Sequence, residues 1–256
     1  VTQRQRAAGQ AMGYKAHARS ETALTSEPTR RFYTAAAVAA DGAGVMLDQR
    51  RLRTPHGAVF AAPTAALAQA ITAEWNAQSE HIRPATMPLT QLAFAAVDAT
   101  PGRRDDLVTH VVKHAETDLL CHRAESPQAL AARQDEIWAP VLHWAREALG
   151  AAPQIVHGVI AAPADPALAG AIREKAAALD DFQLTGLAHG VGVSGSAMLG
   201  FALLHGAIDA KRAFEAAALD DLWSLERWGE DAEARQRLNR IQGDLAALER
   251  YFQVLR

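Results

Sequence analysis

RFYTAAAVAADGAGVMLDQRRLRT, residues 31–54, is the stretch that decides how the chain is read. RFYTAAAVA (31–39) and VMLDQRRLRT (45–54) flank Asp41-Gly42-Ala43-Gly44. Glycine beside aspartate supplies the backbone conformations a tight reversal needs, so the pattern predicts strand, turn, strand. Pro55 and Gly57 mark a second turn, and AVFAA (58–62) offers a third strand. Pro63 and Thr64 then open PTAALAQAITAEWNAQ (63–78), with Thr64 placed to cap a helix. Leu67, Ile71 and Trp75 recur every fourth residue and share one face, which is expected to dock on the small sheet.

From Pro88 onward the periodicity is helical. Segments 88–98, 103–117 and 127–150 read as helices, the last with a bend or break expected at Pro140. QIVHGVI (154–160) is a short apolar run compatible with a strand. Further helices are expected over 166–179, 182–190, 195–205, 209–228 and 231–255. Strands in front and helices behind predict an α+β protein, a small N-terminal β-rich domain (31–84) followed by a larger α-helical domain (85–256). Residues 1–30 read as a disordered leader.

The chain has 256 residues, 49% of them hydrophobic, enough for a sizeable core. A net charge of -3 lacks the basic surplus of a general nucleic-acid binder. The single cysteine, Cys121, excludes an internal disulfide and suits a reducing compartment. Residues 182–208 carry no Asp, Glu, Lys or Arg, long enough for a bilayer, but six glycines and two histidines dilute them. A buried helical hairpin is the better reading, with no stable membrane insertion.

Three constellations resemble catalytic chemistry. His110 and His114 stand four apart on an expected helix, a spacing that can share one metal, and a metal-dependent hydrolase is the alternative function they support. The glutamate that directly follows the first histidine in hydrolytic zinc helices is absent. Gly190, Gly192 and Gly195 have dinucleotide-fingerprint spacing, without the preceding strand such a loop needs. Gly192, Ser196 and Gly200, four apart, would instead give a helix one smooth side for packing. Ser194 and Ser196 lack the flanking glycines of a nucleophile elbow, and Cys121 beside His122 is not placed for a thiolate–imidazole pair.

RWGEDAEARQR (227–237) concentrates acids where the last helix begins. Glu230, Asp231 and Glu233 there complement the helix dipole, and Asp231 with Arg235 and Glu233 with Arg237 are spaced for ion pairs. Beyond them Ala234, Leu238, Ile241, Leu245, Leu248, Phe252 and Leu255 form one apolar seam.

An ordered set of blocks adds a resemblance: RFY (31–33), LDQRRLRTP (47–55), AITAEWNAQ (70–78), MPLTQLA (87–93), DLLCHR (118–123), RQDEIWAPVLHW (133–144), SGSAMLGFAL (194–203) and WGEDAEA (228–234). Together they resemble the ATP synthase F₁ assembly chaperones that act on the alpha subunit, the "ATP-twelve" family of mitochondria and alphaproteobacteria. His122, Ala139, Gln91 and Phe94 depart from its usual residues. The resemblance implies a two-domain protein without enzymatic activity or cofactor, which binds the unassembled F₁ alpha subunit and shields its beta-facing surface. It implies client-binding acids in 228–234, foremost Glu233, with Glu230 and Asp231 beside it. A monomer is expected, in a bacterial cytoplasm or a mitochondrial matrix.

Overall fold

The computed structural model describes residues 29–158, 165–229 and 231–256. Most of the expected leader, residues 1–28, lies outside them. Strands β1 (Ala36–Val38), β2 (Val45–Leu47) and β3 (Arg50–Arg51) form an antiparallel sheet in that order, with Val38 opposite Val45 and Leu47 opposite Arg50. The reversal between β1 and β2 uses Gly42 at φ 75°, where a side chain would be strained. The Asp41 carboxylate accepts the N–H groups of Ala43 (3.1 Å) and Gly44 (2.9 Å). Those bonds and the Arg51 guanidinium hold its carboxyl down at about 2.

Residues 58–62 do not become a third strand. Only the single bridge Arg53–Val59 forms there, and the third strand is Arg50–Arg51. Asp48 (φ 50°) makes the turn after β2 so tight that the chain is back beside the sheet within two residues. Helix α1 (Ala65–Asn76) begins as expected, with Thr64 Oγ1 accepting the Leu67 N–H at 3.1 Å. Leu67, Ile71 and Trp75 are all buried on the sheet side, against Tyr33, Val45 and Leu47.

Glu74 on α1 does something the sequence pattern did not announce. Helix α2 (Pro88–Asp98) has Met87 as its N-cap and no side-chain cap of its own. The buried Glu74 carboxylate accepts the N–H groups of Leu89 (2.9 Å) and Thr90 (2.8 Å) and the Thr90 hydroxyl (2.6 Å). A carboxylate at a helix N-terminus meets both the orphan donors and the positive end of the dipole. The sheet layer is thereby bonded to the first helix of the helical layer.

After α2 the helical layer continues with α3 (Arg104–Glu116), α4 (Gln128–Leu149), α5 (Pro166–Ala177), α6 (Asp181–Ser194), α7 (Ala197–Leu204), α8 (Ala210–Ala217), α9 (Leu219–Trp228) and α10 (Ala232–Leu255). The α+β architecture, a small sheet followed by helices, agrees with the sequence reading, and buried side chains from Tyr33 to Phe252 form one continuous core. Pro140 neither breaks nor ends α4. It lies on an exposed face of the helix, where a carbonyl without its helical partner is open to water. The expected 209–228 helix is two, parted at Ala218. The run at 154–160 contributes only β5 (Val156–His157), parallel to β4 (His122–Arg123).

The glycine-rich segment forms a buried hairpin of α6 and α7, turning at Gly195 (φ 71°). Gly192 and Gly200 therefore sit on different helices, and the expected single smooth side does not exist. A Cβ on Gly200 would lie 3.0 Å from Val191 Cγ2, and one on Gly190 would lie 3.9 Å from the Gly200 Cα. Gly190 and Gly200 let α6 and α7 approach closely, and Gly195 makes the turn between them.

Against the turn of that hairpin sits Asp118, wholly buried, with Met198 N–H donating to its Oδ2 at 3.1 Å. Burial pushes its carboxyl up to about 6, against hydrogen bonds from the Ser196 side chain and the N–H groups of Leu120, Met198 and Ala197. Because the folded protein holds this proton more tightly than the unfolded chain, the group favours folding most below the ordinary value of 3.8. That contribution is lost as the pH rises through about 6. Between those values, urea midpoints of the wild type are expected to fall relative to those of Asp118→Asn, whose amide does not titrate. Separately, Trp75→Ala is expected to cost about 3–5 kcal/mol in urea unfolding, as a buried aromatic replaced by a cavity.

Candidate functional site

Helix α9 ends at Trp228 and α10 starts at Ala232, so residues 228–231 form a corner. Gly229, at φ 91°, turns the chain there. Glu230 lies outside the described residues. Asp231 is the N-cap of α10, its Oδ1 accepting the Glu233 N–H at 3.0 Å. Its carboxylate is thus engaged in starting the helix.

Glu233 follows in the first exposed turn. The pair expected between Glu233 and Arg237 does not form. Arg237 instead donates to Asp221 Oδ1 at 2.6 Å, its long side chain bridging from α10 to α9. Other acids of α9 are also engaged. Asp220 accepts from Gln134 Nε2 at 2.8 Å and Glu226 from Arg133 Nη1 at 2.8 Å. The Glu233 carboxylate makes no hydrogen bond or ion pair among the described residues. An exposed carboxylate with no intramolecular partner keeps its full capacity to accept from an outside guanidinium or ammonium group.

Beside it, Trp228 is 78% exposed, the most exposed large hydrophobic side chain among those described. Its neighbour Trp223 is covered by the Arg227 guanidinium, 4.5 Å from the ring centre. The indole of Trp228 has no such cover. Sequence reasoning placed Trp228 within the motif without giving it a role. The missed signal was its position, directly before a glycine that ends the helix and removes the next turn from which a residue would shield it. The corner therefore offers a large apolar ring and an unpaired negative charge, a pairing suited to a protein surface carrying a cation beside apolar groups.

The alternative sites fare differently. His110 and His114 do meet, with ring centres 4.3 Å apart on α3. His114 Nδ1, however, lies 3.0 Å from the His110 carbonyl, and burial followed by the neighbouring His114 lowers the His110 pKa. Among the described residues, no group of three or more His, Cys, Asp or Glu side chains is placed to hold a metal ion. Ser194 Oγ donates to the Gly190 carbonyl at 2.8 Å, and Ser196 Oγ caps α7 by accepting the Leu199 N–H at 3.0 Å. Burial, with Asp118 nearby, pushes the Cys121 thiol up to about 11, far from a reactive thiolate. No helix among the described residues is long and apolar enough to cross a membrane.

Comparison with known proteins bears on this geometry. A family model described as ATP12 chaperone protein matches residues 30–146, which include the sheet, α1, α2 and α3 but not the corner. The mitochondrial protein atp12 of Schizosaccharomyces pombe is 26% identical over 230 residues, covering 84% of this chain and 79% of that protein. The crystal structure of Atp12 from Paracoccus denitrificans is 38% identical and superimposes with a TM-score of 0.84, over 89% of this chain and 99% of that one. A crystal structure of an Agrobacterium tumefaciens protein is 33% identical, with a TM-score of 0.81 over 89% and 86% of the two chains. This agreement in fold and sequence with the Paracoccus protein, nearly the whole of which is spanned, places the chain in the ATP12 chaperone family.

Proposed function

We propose that the protein is an ATP synthase assembly chaperone that binds the unassembled F₁ alpha subunit and shields its beta-facing surface until the partner subunit displaces it. Membership of the ATP12 chaperone family supports the chaperone role. The observation that carries the binding site is the α9–α10 corner, where Trp228 is uncovered and Glu233 is unpaired while the neighbouring acids are engaged. A holding chaperone needs no covalent step. It needs reversible burial of a client surface that would otherwise aggregate, and release by mass action when a better-fitting partner arrives. The protein acts as a monomer without a cofactor, in a bacterial cytoplasm or in a mitochondrial matrix; the fission-yeast relative is a mitochondrial protein.

The three acids have separable roles in this reading. Glu233 pairs with a client cation, Asp231 shapes the corner by capping α10, and Glu230 adds negative charge. Glu233→Lys should weaken capture of purified orphan alpha chain by roughly tenfold or more in calorimetry, because reversing the charge turns attraction into repulsion. Its urea midpoint should not move. Trp228→Ala should weaken capture by about thirtyfold, the loss of about 2 kcal/mol typical of a central aromatic contact. Asp231→Ala should instead lower stability by about 1 kcal/mol. Unaltered capture by both Glu233→Lys and Trp228→Ala would remove the corner from the binding surface. Failure of the wild type to hold orphan alpha chain would remove the function itself.

A further inference from the structure

A second surface lies on the sheet layer, away from the corner. Two adjoining clefts of about 480 and 420 Å³ share Pro55, Trp75, Ile82 and Phe94 as common walls, so they form one trough between the sheet and α2. Its floor is apolar, and Phe32, 61% exposed, lines the sheet-side cleft. Arg50, Arg51 and Arg53 rim that cleft. Arg51 pairs with Asp41, and Arg53 Nη1 donates to the Gly57 carbonyl at 2.6 Å, each leaving further N–H groups unused. Arg50 makes no side-chain hydrogen bond or ion pair among the described residues. The one carboxylate in the trough, Asp98, is committed to the Thr54 hydroxyl at 2.6 Å and the His56 N–H at 3.1 Å. Net positive charge is therefore left facing outward above an apolar floor.

Trp75 adds an independent observation. It is 7% exposed and lines both clefts, yet its indole Nε1 is buried with no hydrogen-bond partner. A buried donor without an acceptor is costly and uncommon. Reaching it requires the side chains above it to part, and an incoming carbonyl would then supply the missing acceptor.

We propose that this trough binds a short polypeptide segment whose apolar side chains fill the floor and whose carboxylates meet the arginine rim. The proposal rests on the chaperone reading only in taking the occupant to be a segment of a protein client. Opposite charges at the two surfaces, carboxylate at the corner and guanidinium here, would let one client be recognised by two unlike patches.

The test uses the full chain labelled with ¹⁵N at its tryptophan indoles, with Trp75→Phe assigning one of the five signals. Two capped peptides with the same Leu-Phe-Leu centre serve as probes, one flanked by glutamates and one by lysines. The glutamate peptide should move the Trp75 indole signal and bind at least tenfold more tightly than the lysine peptide. Arg50→Glu should weaken that binding about tenfold while leaving the signal of the free protein in place. Equal binding of both peptides, or no movement of the signal at millimolar peptide, overturns the proposal. A signal that moves with protein concentration alone assigns the trough to a second copy of the chain and overturns it too. If Arg50→Glu captures alpha chain like the wild type while Glu233→Lys does not, the trough falls and the chaperone reading stands.

Discussion

The seating of Tyr251 and Phe252 against Gly186 fixes the rest of the molecule. A Cβ at Gly186 would stand 2.5 Å from Phe252 Cε1 and 3.1 Å from Tyr251 Cε1, so only glycine lets α10 lie this close to α6. Both rings are essentially fully buried, and the Tyr251 hydroxyl donates to the Phe182 carbonyl at 3.3 Å. One residue pair farther on, the Val254 carbonyl accepts from the Thr64 hydroxyl, which caps α1. The C-terminal half of α10 is thus held by the helical layer and the sheet layer at once. Its N-terminal half carries only Leu238 fully inside before the chain reaches the exposed corner. A rigidly anchored helix that projects its first turn is a stable mount for Glu233, next to the corner where α9 ends at Trp228.

The join between the two layers is polar as well as apolar. Glu74 caps α2 from α1, while the next residue, Trp75, packs beneath Tyr33 with ring centres 5.5 Å apart. The Tyr33 hydroxyl closes the arrangement by donating to the Trp75 carbonyl at 2.7 Å. Adjacent residues on one helix therefore face opposite tasks, one satisfying the donors of the next helix and one filling the sheet core. Separately, Arg123 binds the 3₁₀ turn before β4 to α4 through Asp135 at 2.5 Å and lies over Trp138, 5.0 Å from the ring centre. The recurring device is a charged or polar side chain reaching out of one element to complete another, which gives a fold of short strands and many helices a unique arrangement.

Several apparent catalytic signatures dissolve for one reason. Gly190 and Gly195 and the serines at 194 and 196 serve a tight helical hairpin, where small residues allow approach or make the turn and hydroxyls cap or bond back to carbonyls. His110 and His114 share a face because α3 is helical, and the His110 carbonyl lies within hydrogen-bonding distance of the second imidazole. Spacing along a chain reports which residues can meet. It does not report what else competes for their polar atoms.

Local periodicity and turn chemistry were enough to read the strand–turn–strand opening, the Thr64 cap, the buried faces of α1 and α10, and the α+β order, because each depends on residues within a few positions of one another. The acids of 230–233 were legible as a helix start for the same reason, since a cap and a dipole are local. Only the tertiary structure decided the partner of Arg237: it turns to Asp221, sixteen positions away, and Glu233 makes no ion pair among the described residues. Glu74 reaching α2 and the arginine-rimmed trough at Trp75 were likewise hidden, as both arise where segments far apart in sequence pack together. Short-range patterns fix where helices and strands form, whereas the partner each charge takes depends on distances that exist only after the layers have closed.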